Sequence, residues 1–323
     1  MRVSASLSIA IFSAAFALSA AAQTQAPATR APVTDWSLET VVVTAQPPGP
    51  AVWHVARGDA NVYILATLGP LPRNLQWDTG RLTRILDGAR ALYLPPRGQV
   101  GVFEGIWFLL TQGDILRLPE GETLERVLTP ALRARFVAAR DVIHGDPDRY
   151  TQYKPSVAGF RMEQDFLKAN DLAFREPNAA IQTLAATKDV PVQTIATYPA
   201  LDVVKEVPSL SSGANLKCLS DSLDDMDVMS AHARLAAEAW AKGNLDGVKA
   251  HYSEPRALDC LGQSATFTKL WAQSVGDTVS TVNQALSRKG KTVIVVNVGE
   301  WLRKGGVLER LRAQGLTLDG PAD

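Results

Sequence analysis

Apolar positions cluster first in two short runs, Val52-Trp53-His54-Val55 and Val62-Tyr63-Ile64-Leu65-Ala66, which flank the polar stretch Arg57-Gly58-Asp59-Ala60-Asn61. Two β-rich runs around a glycine-containing loop predict an antiparallel hairpin. Helical spacing follows at Thr79–Asp87, with Leu82, Ile85, Leu86 and Ala89 on one face and Gly88 as a stop. A strand Ala91–Leu94 is then expected, halted by Pro95-Pro96. The run Phe103–Leu110 predicts a buried helix, with a lid or a surface-binding wedge as alternatives.

Proline and cap residues punctuate the middle of the chain. Thr129-Pro130 opens a helix whose inward positions are Leu132, Phe136, Ala139 and Ile143, and further helices are expected after Pro155 and near Pro177. Val190–Ile195 reads as a short strand whose Pro191 suits an edge or a strand start. Later helices are expected over Asp227–Lys242 and Thr266–Arg288, the second with a continuous stripe of Phe267, Trp271, Val275, Val279, Val282 and Leu286. Thr292–Val298 is apolar without alternation, as a strand covered on both faces must be, and its expected neighbour is Val62–Ala66. A helix Gly306–Gln314 and a closing strand Leu316–Leu318 complete the pattern. The fold class is therefore α/β, a central mixed sheet built from both ends of the chain, flanked by many helices and with a helical middle region.

The first segment breaks this pattern. Arg2 precedes the apolar stretch Leu7–Leu18, and Ala20-Ala21-Ala22 gives a small-residue cleavage pattern before Gln23. Residues 1–22 thus read as a secretory signal peptide, too short and too rich in serine and alanine to span a bilayer. Residues 23–50, rich in Ala, Thr, Gln and Pro, read as a flexible leader. Val41–Thr44 inside it has strand propensity, and strand addition to a sheet edge is its alternative role. One domain is expected over 51–320, in a periplasmic or secreted protein.

Composition narrows the chemistry. With 33 basic and 33 acidic side chains there is no basic surface for nucleic acid, and 46% hydrophobic residues suffice for a core. Loss of Arg2 with the leader leaves a formal charge of −1. Cys218 and Cys260 are the entire cysteine complement of a chain expected to be exported, so a disulfide between them is the default. The four histidines, His54, His144, His232 and His251, lack metal-ligand spacing and suit surface or packing roles. Asp221, Asp224, Asp225 and Asp227 lack the glycine and terminal glutamate of a calcium loop and read as a helix N-terminal or solvated patch. Gly290-Lys291-Thr292 leads into a strand, unlike a phosphate loop, and Gly262–Thr266 lacks the closing glycine of a nucleophile elbow.

Trp53-His54-Val55 and the run Val62–Pro72, with Lys154-Pro155, Lys188–Val192, Ala239–Asn244 and Gly306–Gly315, come in an order and spacing that resemble the TraB/GumN family. That family includes the Tiki metalloproteases and is related in fold to erythromycin esterase and ChaN-like proteins. The resemblance implies a metal-dependent hydrolase or peptidase scaffold, and the residues that would do its chemistry depart from the motifs. The first motif's histidine falls on Gly69 and its glycine on Ala66, with Thr67 retained. The acid after the next strand falls on Pro95, and a helix-opening aspartate falls on Asn178, beside Glu176. A further motif's glutamate and glutamine fall on Ala196 and Leu201, leaving Thr197. The C-terminal histidine falls on Glu300, and the arginine–asparagine pair before it has no counterpart near Ser274-Val275. Gly69 and Pro95 offer no side-chain ligand, so no metal or other cofactor is expected. The first reading is a non-catalytic member whose cleft binds a small ligand, a peptide or an envelope protein. The alternative is a divergent hydrolase that uses a divalent metal with Glu300, Glu176 and Thr67.

Overall fold

The structure, a computed structural model, describes residues 49–143, 146, 148–174 and 176–321. The signal segment, all of the leader but Gly49 and Pro50, Val41–Thr44, His144 and the side chain of Glu176 lie outside the described residues.

The front of the chain forms β1 (Val52–Arg57), β2 (Ala60–Thr67), β3 (Leu71–Pro72), α1 (Gly80–Leu86), β4 (Ala89–Leu94), β5 (Arg97–Gln99) and α2 (Val102–Gln112). The middle contributes α3 (Leu124–Val127), α4 (Pro130–Ile143), α5 (Pro155–Ala169), β6 (Leu172–Ala173), α6 (Glu176–Ala186), β7 (Val192–Thr194), β8 (Thr197–Pro199) and α7 (Leu201–Glu206). The last part holds α8 (Ser212–Ala241), α9 (Leu245–His251), α10 (Ala257–Leu261), α11 (Ala265–Leu286), β9 (Gly290–Asn297), α12 (Val298–Leu302) and α13 (Val307–Ala313).

The main sheet has the order β1-β2-β9-β4-β7. The hairpin β1-β2 is antiparallel, and Gly58, at φ 55°, takes the left-handed conformation its two-residue turn needs. β2 and β9 pair in parallel from Ala60↔Gly290 to Thr67↔Asn297, and β4 is parallel to both β9 and β7. The apolar run of β9 is explained by its two covered faces. Ile294 and Val296 pack with Val62, Ile64 and the α11 stripe Val275, Val279 and Val282. Val293 and Val295 pack with Leu65, Leu92, Leu82, Leu86 and Ile181 from the other side. A second core joins Phe136, Met162, Phe166, Leu219 and Leu223 of α4, α5 and α8. α8, about 45 Å long at 1.5 Å per residue, reaches from that core to the sheet, where the Trp240 indole donates to the Ala66 carbonyl at 2.9 Å.

The structure corrects four expectations. α8 starts at Ser212, fifteen residues before the expected Asp227, and is capped by Ser211, whose hydroxyl accepts the Ala214 N–H. The aspartates that suggested a helix start sit inside the helix because most have partners. Asp225 accepts the N–H groups of Arg256 and Ala257, Asp224 lies between Arg135 and Arg256, and Asp221 pairs with Lys217. Asp221 and Asp225 are buried rather than solvated, and only Asp227 keeps the expected exposure. Phe103–Leu110 is helical but not buried, since Phe108 alone of α2 reaches the interior. Leu316–Leu318 is no strand, because only one residue pair, His54 and Asp319, bridges there. Gly320 then lies so close to the Trp53 ring that a Cβ would stand 2.1 Å from it. Finally, β7 is shorter than expected and keeps Pro191 just outside the sheet edge, where its carbonyl still accepts the Leu92 N–H.

Candidate functional site

A parallel sheet presents the carboxyl ends of its strands, and the loops that leave them, as the natural floor of a cleft. Here β2, β4 and β9 end at Thr67, Leu94 and Asn297, and a cleft of about 520 Å³ opens over them. Thr67–Gly69, Pro95–Gly98, Asn178 and Glu300 line the floor. Val203, Leu258, Leu261, Phe267, Leu270 and Trp271, from α7, α10 and α11, form an apolar wall.

Glu300 owes its position to a strand-to-helix turn. β9 ends at Asn297, whose side chain accepts the Gly299 N–H at 2.8 Å and caps α12, so Glu300 enters the first helical turn facing inward. Its side chain is buried. The Ser274 hydroxyl, on α11, donates to Glu300 Oε1 at 2.8 Å. Burial pushes the Glu300 carboxyl above the usual carboxylate range, with Ser274 and the Arg303 charge opposing it. Ser274 stands where the arginine–asparagine pair had no counterpart.

The other polar groups of the cleft are mostly engaged with one another. Arg303 grips Glu254 through two nitrogens and lies over the Trp271 ring, 4.7 Å from its centroid. The Tyr198 hydroxyl donates to Asp277 at 2.6 Å, and burial with that carboxylate holds its phenol protonated well above neutral pH. Asn178 differs: its Oδ1 is buried with no hydrogen-bond partner.

Four of the seven altered motif positions come together here, beside the retained Thr67. Thr67, Gly69, Pro95, Asn178 and Glu300 all line the cleft, although they are up to 233 positions apart in sequence. Ala196 contributes no lining, and its carbonyl accepts the Arg97 N–H between β7 and β8. The Thr67 hydroxyl, a candidate polar group, is used structurally, donating to the Val296 carbonyl at 3.1 Å across β2 and β9. Thr67→Val keeps the shape and removes that bond, so urea unfolding should show a loss of about 1 kcal/mol. At Gly69 a Cβ would stand 3.1 Å from Phe174 Cδ1, so a side chain there would need the half-exposed phenyl ring to give by a few tenths of an ångström. Glu176 opens α6 two residues before Asn178. Cys218 and Cys260 form the expected disulfide, between α8 and α10 behind the apolar wall.

The TraB/PrgY/gumN family model matches residues 51–319. The chain belongs to the TraB/PrgY/gumN family. No curated protein and no solved structure matches it. A metal of the kind the TraB/GumN resemblance implies does not fit this cleft. Among the described residues no histidine lines it, Glu254 is held by Arg303, and Glu300 is the one remaining carboxylate in the lining. Among the described residues no three His, Cys, Asp or Glu side chains gather as ion ligands.

The sequence reading missed Asn297, Tyr198, Trp271 and the Glu254–Arg303 pair. Asn297 carried a signal, an amide residue between an apolar strand and Val-Gly, which is a helix-cap position. The others come from β8, α11, the loop before α10 and the end of α12, whose apposition only the tertiary structure supplies.

Proposed function

We propose that this chain is an exported, ligand-binding member of the TraB/PrgY/gumN family that has lost a metal-dependent hydrolytic site. One observation carries the reading: four of the positions where metal-binding side chains are expected line one cleft, and there they are Gly69, Pro95, Asn178 and Glu300. Two of these have no donor side chain, and a third is a neutral amide. The cleft retains shape, an apolar wall and a few convergent polar groups, the attributes of a binding site. A ligand with an apolar body and a hydrogen-bonding end fits it, the end meeting Glu300, Ser274 and the unpartnered Asn178 Oδ1. Export is supported by the signal-like pattern of residues 1–22 and by the use of both cysteines in one disulfide.

The processed protein, incubated with a peptide pool and Zn²⁺, Mn²⁺ or Co²⁺, should release no product above the metal-only control. Chelator-sensitive cleavage that disappears in Glu300→Ala would overturn the proposal and establish the divergent hydrolase instead.

A further inference from the structure

The two carboxylates that line the cleft are in different states. Glu254 has its cation: Arg303 binds it through Nε and Nη2 and lies over the Trp271 ring, 4.7 Å from the centroid. Glu300 has none. It is 6% exposed, its Oε1 accepts one neutral hydroxyl, that of Ser274, and it forms no ion pair among the described residues. Its Oε2 accepts no hydrogen bond from a described residue, on a side chain that lines the cleft. Arg303 acts on it electrostatically but is committed to Glu254. A carboxylate buried in this way has lost its hydration, and no cation of the chain repays the loss.

The rest of the lining points to what completes it. Asn178 Oδ1, also without a hydrogen-bond partner, is an acceptor as well. Arg97, the cation among the described lining residues, has an exposed side chain and pairs with neither carboxylate. Phe174, Tyr198, Phe267 and Trp271 line the same space, so aromatic rings join the aliphatic side chains of the wall. Aromatic faces attract cations, and the stacking of Arg303 on Trp271 is an example within this wall. The open groups are therefore acceptors, one of them charged, beside a surface that takes hydrocarbon and tolerates positive charge.

We infer that the ligand of this cleft is an organic ammonium, a protonated amine that donates to Glu300 Oε2 while its hydrocarbon body lies along Leu258, Leu261 and Leu270. The inference rests on the ligand-binding reading above and adds the charge of the ligand to it. A carboxylate or phosphate end would meet like charge at Glu300. A hydroxyl end supplies a single donor and leaves the charge of the carboxylate uncompensated. An ammonium supplies both the charge and three donors. Glu300 then stands to the ligand as Glu254 stands to Arg303.

The test keeps the hydrocarbon constant and changes the end group. Dissociation constants of hexylammonium, 1-hexanol and hexanoate are measured on the full chain by ligand-observed NMR at pH 8, where the amine is protonated. Hexylammonium should bind at least about tenfold more tightly than hexanol, and hexanoate more weakly than either. Glu300→Gln keeps the size of the side chain and an acceptor oxygen for Ser274. It should bring hexylammonium to within about threefold of hexanol and leave hexanol itself unchanged. Equal binding of hexylammonium and hexanol by the parent would overturn the inference and leave the ligand-binding reading standing. A preference for hexanoate would do the same and would mean that Glu300 is held protonated and donates. A preference for hexylammonium that survives in Glu300→Gln would also overturn it, placing the amine elsewhere. Binding of none of the three would overturn the inference and the ligand-binding reading together. The comparison of end groups in the parent stands even where the variant fails to fold.

Discussion

Removing the Cys218–Cys260 cross-link should lower the stability of the chain by about 4 kcal/mol, the loop-closure value for cysteines 42 positions apart. The bond ties the second turn of α8 to α10, which is only five residues long and has little helical stability of its own. Its surroundings are apolar, with Val207, Phe160, Val203, Leu210 and Leu261 packed about the sulfurs. Alanine is therefore the better replacement, because a serine hydroxyl would be buried without a partner. Other ties at α10 are the Arg256 and Ala257 N–H groups donated to Asp225 and the Arg256–Asp224 ion pair. Cys218→Ala/Cys260→Ala should shift the urea midpoint accordingly, and hydrogen exchange should show 257–261 opening before the sheet. Because Leu258 and Leu261 line the cleft, the same variant should weaken any ligand that uses the apolar wall. A loss below about 1 kcal/mol would mean that the unfolded chain is already constrained there.

Glu163 should make the protein less stable as pH rises, the opposite of ordinary acid denaturation. Its side chain, 6% exposed, lines a small cavity of about 40 Å³ with Asp225, His251, Tyr252 and Leu68-Gly69-Pro70. Burial first, and then the nearby Asp225 charge, push the Glu163 carboxyl up to about 7, and burial pushes Asp225 to about 6. The unfolded chain releases these protons near pH 4 to 4.5. Between those values and the folded ones the native state holds more protons than the unfolded state, so stability falls with rising pH and levels off above about 7. For Glu163 alone the full effect is of order 3 kcal/mol. The drop between pH 6 and 8 belongs mainly to Glu163, since Asp225 has largely ionised by then. Urea unfolding at pH 5, 6, 7 and 8 should show the decline in the parent and a nearly flat profile in Glu163→Gln above pH 6. Stability of the parent that rises or stays constant over this range would show that Glu163 ionises as it does in water.

The sheet was legible in the chain because its signals were redundant. β9 is apolar at every interior position from Val293 to Val296, β2 is nearly so, and a glycine turn and a proline pair bound the strands around them. Proline-opened α4 and α5 were equally plain. α8 was half hidden, because its buried aspartates resemble a helix start until Arg256, Ala257 and Lys217 are brought to them from elsewhere in space or one turn away. α2 misled in the other direction: a run of apolar side chains predicts burial only where a partner surface exists within the chain. Leu316–Leu318 has strand composition but follows Gly315, at φ 79°, and meets β1 at a single pair.

The candidate site was visible chiefly as a set of altered positions. Nothing in the sequence brings Asn178, on α6, to the same cleft as Glu300, on α12, and the parallel pairing of β2 with β9 and of β9 with β4 does. The environment of Glu300 was equally hidden, since Ser274 meets it from one turn of a long helix whose apolar stripe was the only feature its sequence advertised.

The most direct measurement is a calorimetric titration of the processed, chelator-treated protein with Zn²⁺ and with Mn²⁺, followed by metal analysis after desalting. Loss of the metal site predicts no stoichiometric heat at micromolar protein and no retained metal, in the parent and in Glu300→Ala alike. One equivalent of either ion, bound tightly enough to survive desalting and lost in Glu300→Ala, would contradict it.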